Sequence, residues 1–144
     1  MGSPLFGKVF SLKSVPLHPL AQGILGEGVV VLPYEGKLVA PFAGEVVSIL
    51  PNQHVITLRS EKGTELLIHL GINSKKAAND LFKLNKMAGD QIYPGESLIE
   101  FDLTLLKELG IDSRSMIILL EAEGEFIWKE ELNYLETFVE IEEK

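Results

Sequence analysis

The sequence predicts an all-β protein, an antiparallel β-sandwich with short helical turns. Three observations predict it. The apolar stretches are short and β-branched. Turn-forming residues separate them at close spacing, the pattern of a sandwich or barrel. The chain has 144 residues, 46% apolar and 24% charged, enough for one compact domain with a core.

The strands follow in order. Val29 to Leu32, Val46 to Leu50, Val55 to Leu58, Leu66 to Ile72 and Ile117 to Leu120 are the apolar runs. Turns are expected at Gly26-Glu27-Gly28, Tyr34-Glu35-Gly36, Ala43-Gly44, Lys62-Gly63, Ala88-Gly89-Asp90 and Pro94-Gly95-Glu96. Two helical turns interrupt the pattern. One covers Ser74 to Asn79. The other covers Leu103 to Leu109, with Asp102 as N-cap and Gly110 as stop. Glu121 to Glu125 reads as a solvated loop, Lys129 to Leu135 fits strand or loop, and Glu140 to Lys144 as a strand fraying into solvent. Phe126 and Trp128 are assigned to core or edge packing. No linker divides the chain, so residues 1–144 read as a single domain.

Charge and composition exclude several functions. The net charge of −8 opposes non-specific nucleic-acid binding, which needs a basic surface. With no cysteine, disulfides, thiolate metal sites and cysteine nucleophiles are ruled out. No apolar run is long enough to span a membrane, and no basic-then-apolar signal opens the chain. A cytoplasmic location without membrane insertion is expected.

The chemistry lies between Gln53 and Gly71. Of three histidines, His54 opens one strand and His69 lies in the next. Ser60-Glu61-Lys62-Gly63 joins the strands as a hairpin turn. In a symmetric hairpin Arg59 faces Thr64 and His54 faces His69, so the two rings share one sheet face. A one-residue slip, such as a bulge at Gly63, sends them to opposite faces. Leu66, Ile68, Leu70 and Ile72 form the core face, while Glu65, Leu67, His69 and Gly71 form the other. In this register Ile56 and Leu58 share the side of His54. Gly71 leaves room for close approach beside His69.

Two adjacent imidazoles suit phosphoryl transfer. A neutral imidazole is a good nucleophile near pH 7, and a second can hydrogen-bond the moving phosphoryl oxygens. Apolar surroundings limit hydrolysis. Ordinary packing of both histidines is the competing reading. A zinc site would need a third ligand, for which Glu65 and Glu27 are the available side chains. His18, between Leu17 and Pro19, reads as a loop residue.

The segment Gly63-Thr64-Glu65-Leu66-Leu67-Ile68-His69-Leu70-Gly71-Ile72 resembles the signature of the glucose-type IIA domain of the bacterial phosphoenolpyruvate-dependent sugar phosphotransferase system. Val15-Pro16, Gly26 to Val31, Val39-Ala40-Pro41-Phe42-Ala43-Gly44-Glu45-Val46, Gln53-His54 and Ile99-Glu100-Phe101-Asp102-Leu103 extend the resemblance over nearly the whole chain. It implies an antiparallel β-sandwich of the duplicated hybrid motif type. It implies that His69 takes phosphate from the phosphocarrier protein HPr and passes it to a IIB domain, with His54 hydrogen-bonding the phosphoryl group. Each histidine would present Nε2, and no metal or organic cofactor is needed. Leu20, Leu25, Leu50 and Leu67 fall on the family's apolar docking rim, where plain core packing is the alternative.

Some positions depart from the family. Asn73, Ser74 and Lys75 stand where members usually carry Asp-Thr-Val, Asn52 replaces a common Thr, and Leu17 replaces a common acidic residue. Acidic groups at such positions receive an arginine of HPr, so Asn73 and Leu17 should weaken that docking. A regulatory module of the same fold, docking on transporters or metabolic enzymes, is the alternative function. A biotinyl or lipoyl carrier, which "VAPFAGEV" and "GESLIEF" would also suit, lacks the required hairpin lysine.

Overall fold

Strand-forming residues cut by glycine and proline build thirteen strands among the described residues of the computed structural model, which are 1–14, 26–50, 54–71, 81–120 and 124–141. The strands are β1 (Gly7–Ser11), β2 (Gly26–Pro33), β3 (Lys37–Val39), β4 (Gly44–Ile49), β5 (Val55–Ser60), β6 (Glu65–His69), β7 (Phe82–Leu84), β8 (Gln91–Ile92), β9 (Ser97–Phe101), β10 (Ser115–Leu120), β11 (Gly124–Phe126), β12 (Glu131–Leu132) and β13 (Val139–Ile141). The expected helical turn at Ser74–Asn79, and positions Leu17, His18, Leu20, Leu25, Asn52, Asn73 and Lys75, lie outside the described residues.

An eight-stranded sheet runs in the order β12-β1-β2-β10-β6-β5-β4-β8, and every pairing in it is antiparallel. A three-stranded sheet, β3-β9-β7, faces it. The main core joins the two: Val31, Val46, Ile56, Leu58, Leu66, Ile68 and Ile117 of the large sheet pack with Leu38, Phe82, Ile99 and Phe101 of the small one. Each buried side chain of that size contributes about 1.5–3 kcal/mol of hydrophobic transfer. No described helix is long and apolar enough to cross a membrane.

The helix α1 (Leu103–Glu108) forms as its local sequence requires. The Asp102 carboxylate accepts the Leu105 N–H at 3.1 Å, and Gly110 at φ +72° turns the chain away. Leu106 is the helix residue that enters the core. Because β9 runs into this helix and not into a lysine hairpin, the biotinyl or lipoyl arrangement is absent there.

Four local expectations need correction. Gly26-Glu27-Gly28 is not a turn but the start of β2, paired to β10. A Cβ on Gly28 would lie 2.1 Å from the Ile117 carbonyl oxygen, so the glycine serves close strand approach. The loop expected at 121–125 gives way at Gly124 to β11, which pairs with β13. Trp128 is 61% exposed, not packed, whereas Phe126 does lie against the core with its ring 6.2 Å from Phe138. Finally, the strand expected through Ile72 stops at His69, because Gly71 takes φ +75°.

The segment Lys129 to Leu135, ambiguous in sequence, joins the residues up to Ile141 in a strap over the sheet edge. β12 pairs with β1, and Leu132, Phe138 and Val139 enter the main core. Ser3 ties this strap down: its N–H donates to the Glu136 carbonyl and its carbonyl accepts the Leu135 N–H. Residues at opposite ends of the sequence therefore close one edge of the large sheet.

The β5–β6 hairpin sets the register of the central strands. Its loop is Glu61-Lys62-Gly63, closed by Ser60 N–H to Thr64 carbonyl at 2.8 Å and Gly63 N–H to Ser60 carbonyl at 2.9 Å. Gly63 adopts φ +94°, the left-handed residue that a three-residue hairpin with a bulge requires. No atom outside its chain neighbours lies within 4 Å of a Cβ placed on Gly63, so its demand is conformational alone. Gly63→Ala should therefore cost about 1–2 kcal/mol, and Gly63→Asn distinctly less because asparagine tolerates this conformation. Urea unfolding of the two variants measures the difference.

Candidate functional site

The bulged loop shifts the hairpin by one residue from the symmetric pairing. Arg59 faces Glu65, not Thr64, and Val55, not His54, faces His69. Ile56 and Leu58 lie opposite Ile68 and Leu66 in the main core, so they do not share a patch with the histidines. Strict alternation would then send His54 to the core face and separate the two rings.

The rings nevertheless meet. Their centroids are 4.9 Å apart with planes at 76°, an edge-to-face contact. His54 stands one residue before the start of β5, in a bend. Outside the extended strand the pleat no longer dictates side-chain direction, so His54 can turn to the face of His69. Its backbone still continues the ladder, since the His54 carbonyl accepts the Leu70 N–H at 2.7 Å. The sequence expectation of adjacency holds, but the pairing that was to produce it does not.

His69 is the last residue of β6. Opposite it on β10 lies Met116, fully buried. Met116 belongs to a second apolar cluster with Leu12, Val30 and Ile118, against which Phe10, Leu67 and Leu120 pack. This cluster lies on the face of the large sheet opposite the main core. Alternation along β6 is as expected: Leu66, Ile68 and Leu70 enter the main core, while Leu67 and His69 point to the second cluster.

Both rings are deep but not sealed. His54 is 6% exposed and His69 7%. The Nδ1 atom of each ring is enclosed. The residual exposure therefore falls on other atoms of the two residues. Leu50 stands out from the surface near His54, 46% exposed, with its N–H donated to the Val55 carbonyl at 3.0 Å. Leu67 is half-buried beside His69. Leu20, Leu25 and Asn73, the other expected rim residues, lie outside the described residues.

One ion-pair cluster on this face sits at the far end of the hairpin. Arg59 bridges Glu45 on β4 (2.9 Å) and Glu65 on β6 (3.0 Å). Hydrogen bonds that the guanidinium donates to Glu65, then to Glu45, raise its pKa further. Glu65 is four residues from His69 along an extended strand, about 13 Å. Glu27 is exposed on β2. Among the described residues no three His, Asp or Glu side chains converge to hold a metal ion, and the zinc reading has no support from either glutamate.

Sequence reading missed two residues that shape the site. Met116 stands beside His69 on the neighbouring strand. Ser115, 1% exposed, takes the Gly71 N–H on its hydroxyl oxygen at 3.1 Å. The signal for both was only the position of Ser115 and Met116 at the head of the Ile117 to Leu120 run. Which strand that run would adjoin was not legible.

Comparisons with known proteins converge on one family. The model of the phosphoenolpyruvate-dependent sugar phosphotransferase system, EIIA 1, matches residues 1–124. A glucosamine-specific EIICBA component of that system from Bacillus subtilis is 37% identical over 115 residues, 80% of this chain and 18% of the relative. The chain thus spans under a fifth of that relative's length. A glucose-specific EIIA component from Bacillus cereus is 32% identical over 122 residues, 85% of this chain and 74% of the relative. Among solved structures, the glucose permease IIA from Mycoplasma capricolum superposes with a TM-score of 0.84 at 21% identity, covering 96% of this chain and 92% of that one. That likeness places the chain in the same β-sandwich fold.

The Met116 side chain yields a prediction. Met116→Ala should cost about 2–5 kcal/mol, since the side chain is fully buried. The cavity opens directly across from His69, so the histidine ring resonances should shift while those of the main core stay in place. Urea unfolding and NMR of the variant provide the check.

Proposed function

The chain belongs to the EIIA 1 family of the phosphoenolpyruvate-dependent sugar phosphotransferase system, and from that premise we propose that residues 1–144 act as one cytoplasmic phosphocarrier module, taking a phosphoryl group from HPr on His69 and passing it to a IIB domain. The observation that carries the proposal is the edge-to-face contact of His54 and His69 at 4.9 Å in an apolar hollow.

The geometry suits the chemistry as follows. With Nδ1 enclosed, His69 attacks phosphorus through the Nε2 lone pair in its neutral form. The new Nε2–P bond forms as the N–P bond on the donor histidine breaks, and its electron pair returns to the donor ring. Entering and leaving atoms are alike, so no separate base is required. His54 hydrogen-bonds the phosphoryl oxygens as charge redistributes. Met116, Leu67 and their neighbours exclude water and limit hydrolysis. Leu50 and Leu67, with Leu20, Leu25 and Asn73, form the docking surface for both partners. In the full transfer chain the group reaches the sugar through the partners, which choose the substrate.

The decisive experiment is mass spectrometry after mixing with HPr, enzyme I and phosphoenolpyruvate, with the phosphosite mapped. One acid-labile phosphate on His69 is expected. His69→Ala should abolish uptake; full phosphorylation of that variant would refute the assignment. His54→Gln should still accept phosphate but slow onward transfer by roughly 10²–10³, because glutamine hydrogen-bonds the group without carrying the same charge.

Docking gives a separate prediction. Asn73→Asp should raise affinity for HPr, and more so at low salt, because exposed charge pairs are screened. Titration calorimetry at two ionic strengths tests this. Equal affinity of both proteins at low salt would remove the electrostatic explanation.

A further inference from the structure

The end of β6 is held by a side chain in place of a strand. β10 pairs with β6 from Leu120 opposite Glu65 to Met116 opposite His69, and the ladder ends there. The next two N–H groups of β6 go to different neighbours. Leu70 donates to the His54 carbonyl at 2.7 Å, on the β5 side. Gly71 donates to the Ser115 hydroxyl at 3.1 Å, on the β10 side. That hydroxyl in turn donates to the Ser113 carbonyl at 2.9 Å. Its single proton is therefore committed, and the oxygen presents a lone pair to Gly71.

We propose that Ser115 is a positioning residue for phosphoryl transfer, fixing where β6 ends and hence how His69 stands against His54. Gly71 turns at φ +75°, so the chain leaves the ladder two residues after His69. Beyond the last ladder pair, the Ser115 hydroxyl supplies an acceptor for the Gly71 N–H. Ser115 is 1% exposed, so water cannot readily replace it there. His69 is thereby anchored on both flanks within two residues: through Leu70 to the backbone of His54, and through Gly71 to Ser115. Loss of the second anchor lets the end of β6 move against His54, and group transfer is sensitive to displacements of that size. Ser115 touches neither the rings nor the phosphoryl group in this scheme; it acts through Gly71.

The inference rests on the carrier reading of His69, and the test separates the two. In the unmodified protein, amide hydrogen exchange at Gly71 should be slow, whatever the function; exchange as fast as an exposed amide overturns the proposal. Ser115→Ala should speed exchange at Gly71, shift the His54 and His69 ring resonances, and slow single-turnover phosphoryl uptake from phosphorylated HPr roughly ten- to hundredfold. HPr affinity should be unchanged, which a general loss of structure would not permit. Ser115→Thr keeps the hydroxyl and should restore most of the rate. A folded Ser115→Ala protein with the original rate and ring resonances refutes the positioning role, as does a folded Ser115→Thr protein as slow as the alanine variant. If the unmodified protein takes no phosphate on His69, the carrier reading and this role in transfer both fail, and protected Gly71 exchange then shows only that the anchor exists.

Discussion

The register of β5 against β6 is the constraint on which the site depends. It is imposed from one end of the hairpin, where Gly63 adopts a left-handed conformation and inserts one residue on its side of the turn. From there the pairing runs down to the other end, where Val55 faces His69. Ile56, Leu58, Leu66 and Ile68 make any other register costly, because a one-residue slip would carry the two on the slipping strand out of the core. The histidines stand at the open end of this rigid pair, held by the strands without being part of their packing.

The large sheet has two apolar faces of unequal size. One packs against the three-stranded sheet and forms the main core. The other carries the smaller cluster around Met116, and His69 is set into it. At 7% exposure the ring is largely shielded from water. Polar reinforcement is kept away: the Glu45–Arg59–Glu65 bridge lies at the opposite end of the hairpin and stabilises it by little, since its members are partly exposed.

The sequence was legible where local rules decide. Asp102 and Gly110 bracket the helix because a carboxylate caps orphan N–H groups and glycine turns freely. Leu66, Ile68 and Leu70 alternate with Leu67 and His69 because the pleat has a period of two. It failed where distant segments meet. Gly26-Glu27-Gly28 has turn composition, yet it lies in β2 because β10 comes close enough to exclude a Cβ. The His54–His69 contact was anticipated through a symmetric hairpin that does not form. A bulge displaced the register, and the bend at His54 restored the contact.

By itself, the amino-acid sequence determined the β-sandwich class, the family signature around His69, the face on which His69 lies, and the pair of histidines as the candidate site. These follow from residue identity and from periodicities within single strands. The tertiary structure alone decided that β10 would lie beside β6, bringing Met116 beside His69 and the Ser115 hydroxyl to Gly71. It alone decided that residues 129–141 would close the edge beside β1. Strand neighbours are chosen by the fit of whole faces in the core, a sum over many distant residues that no local pattern records.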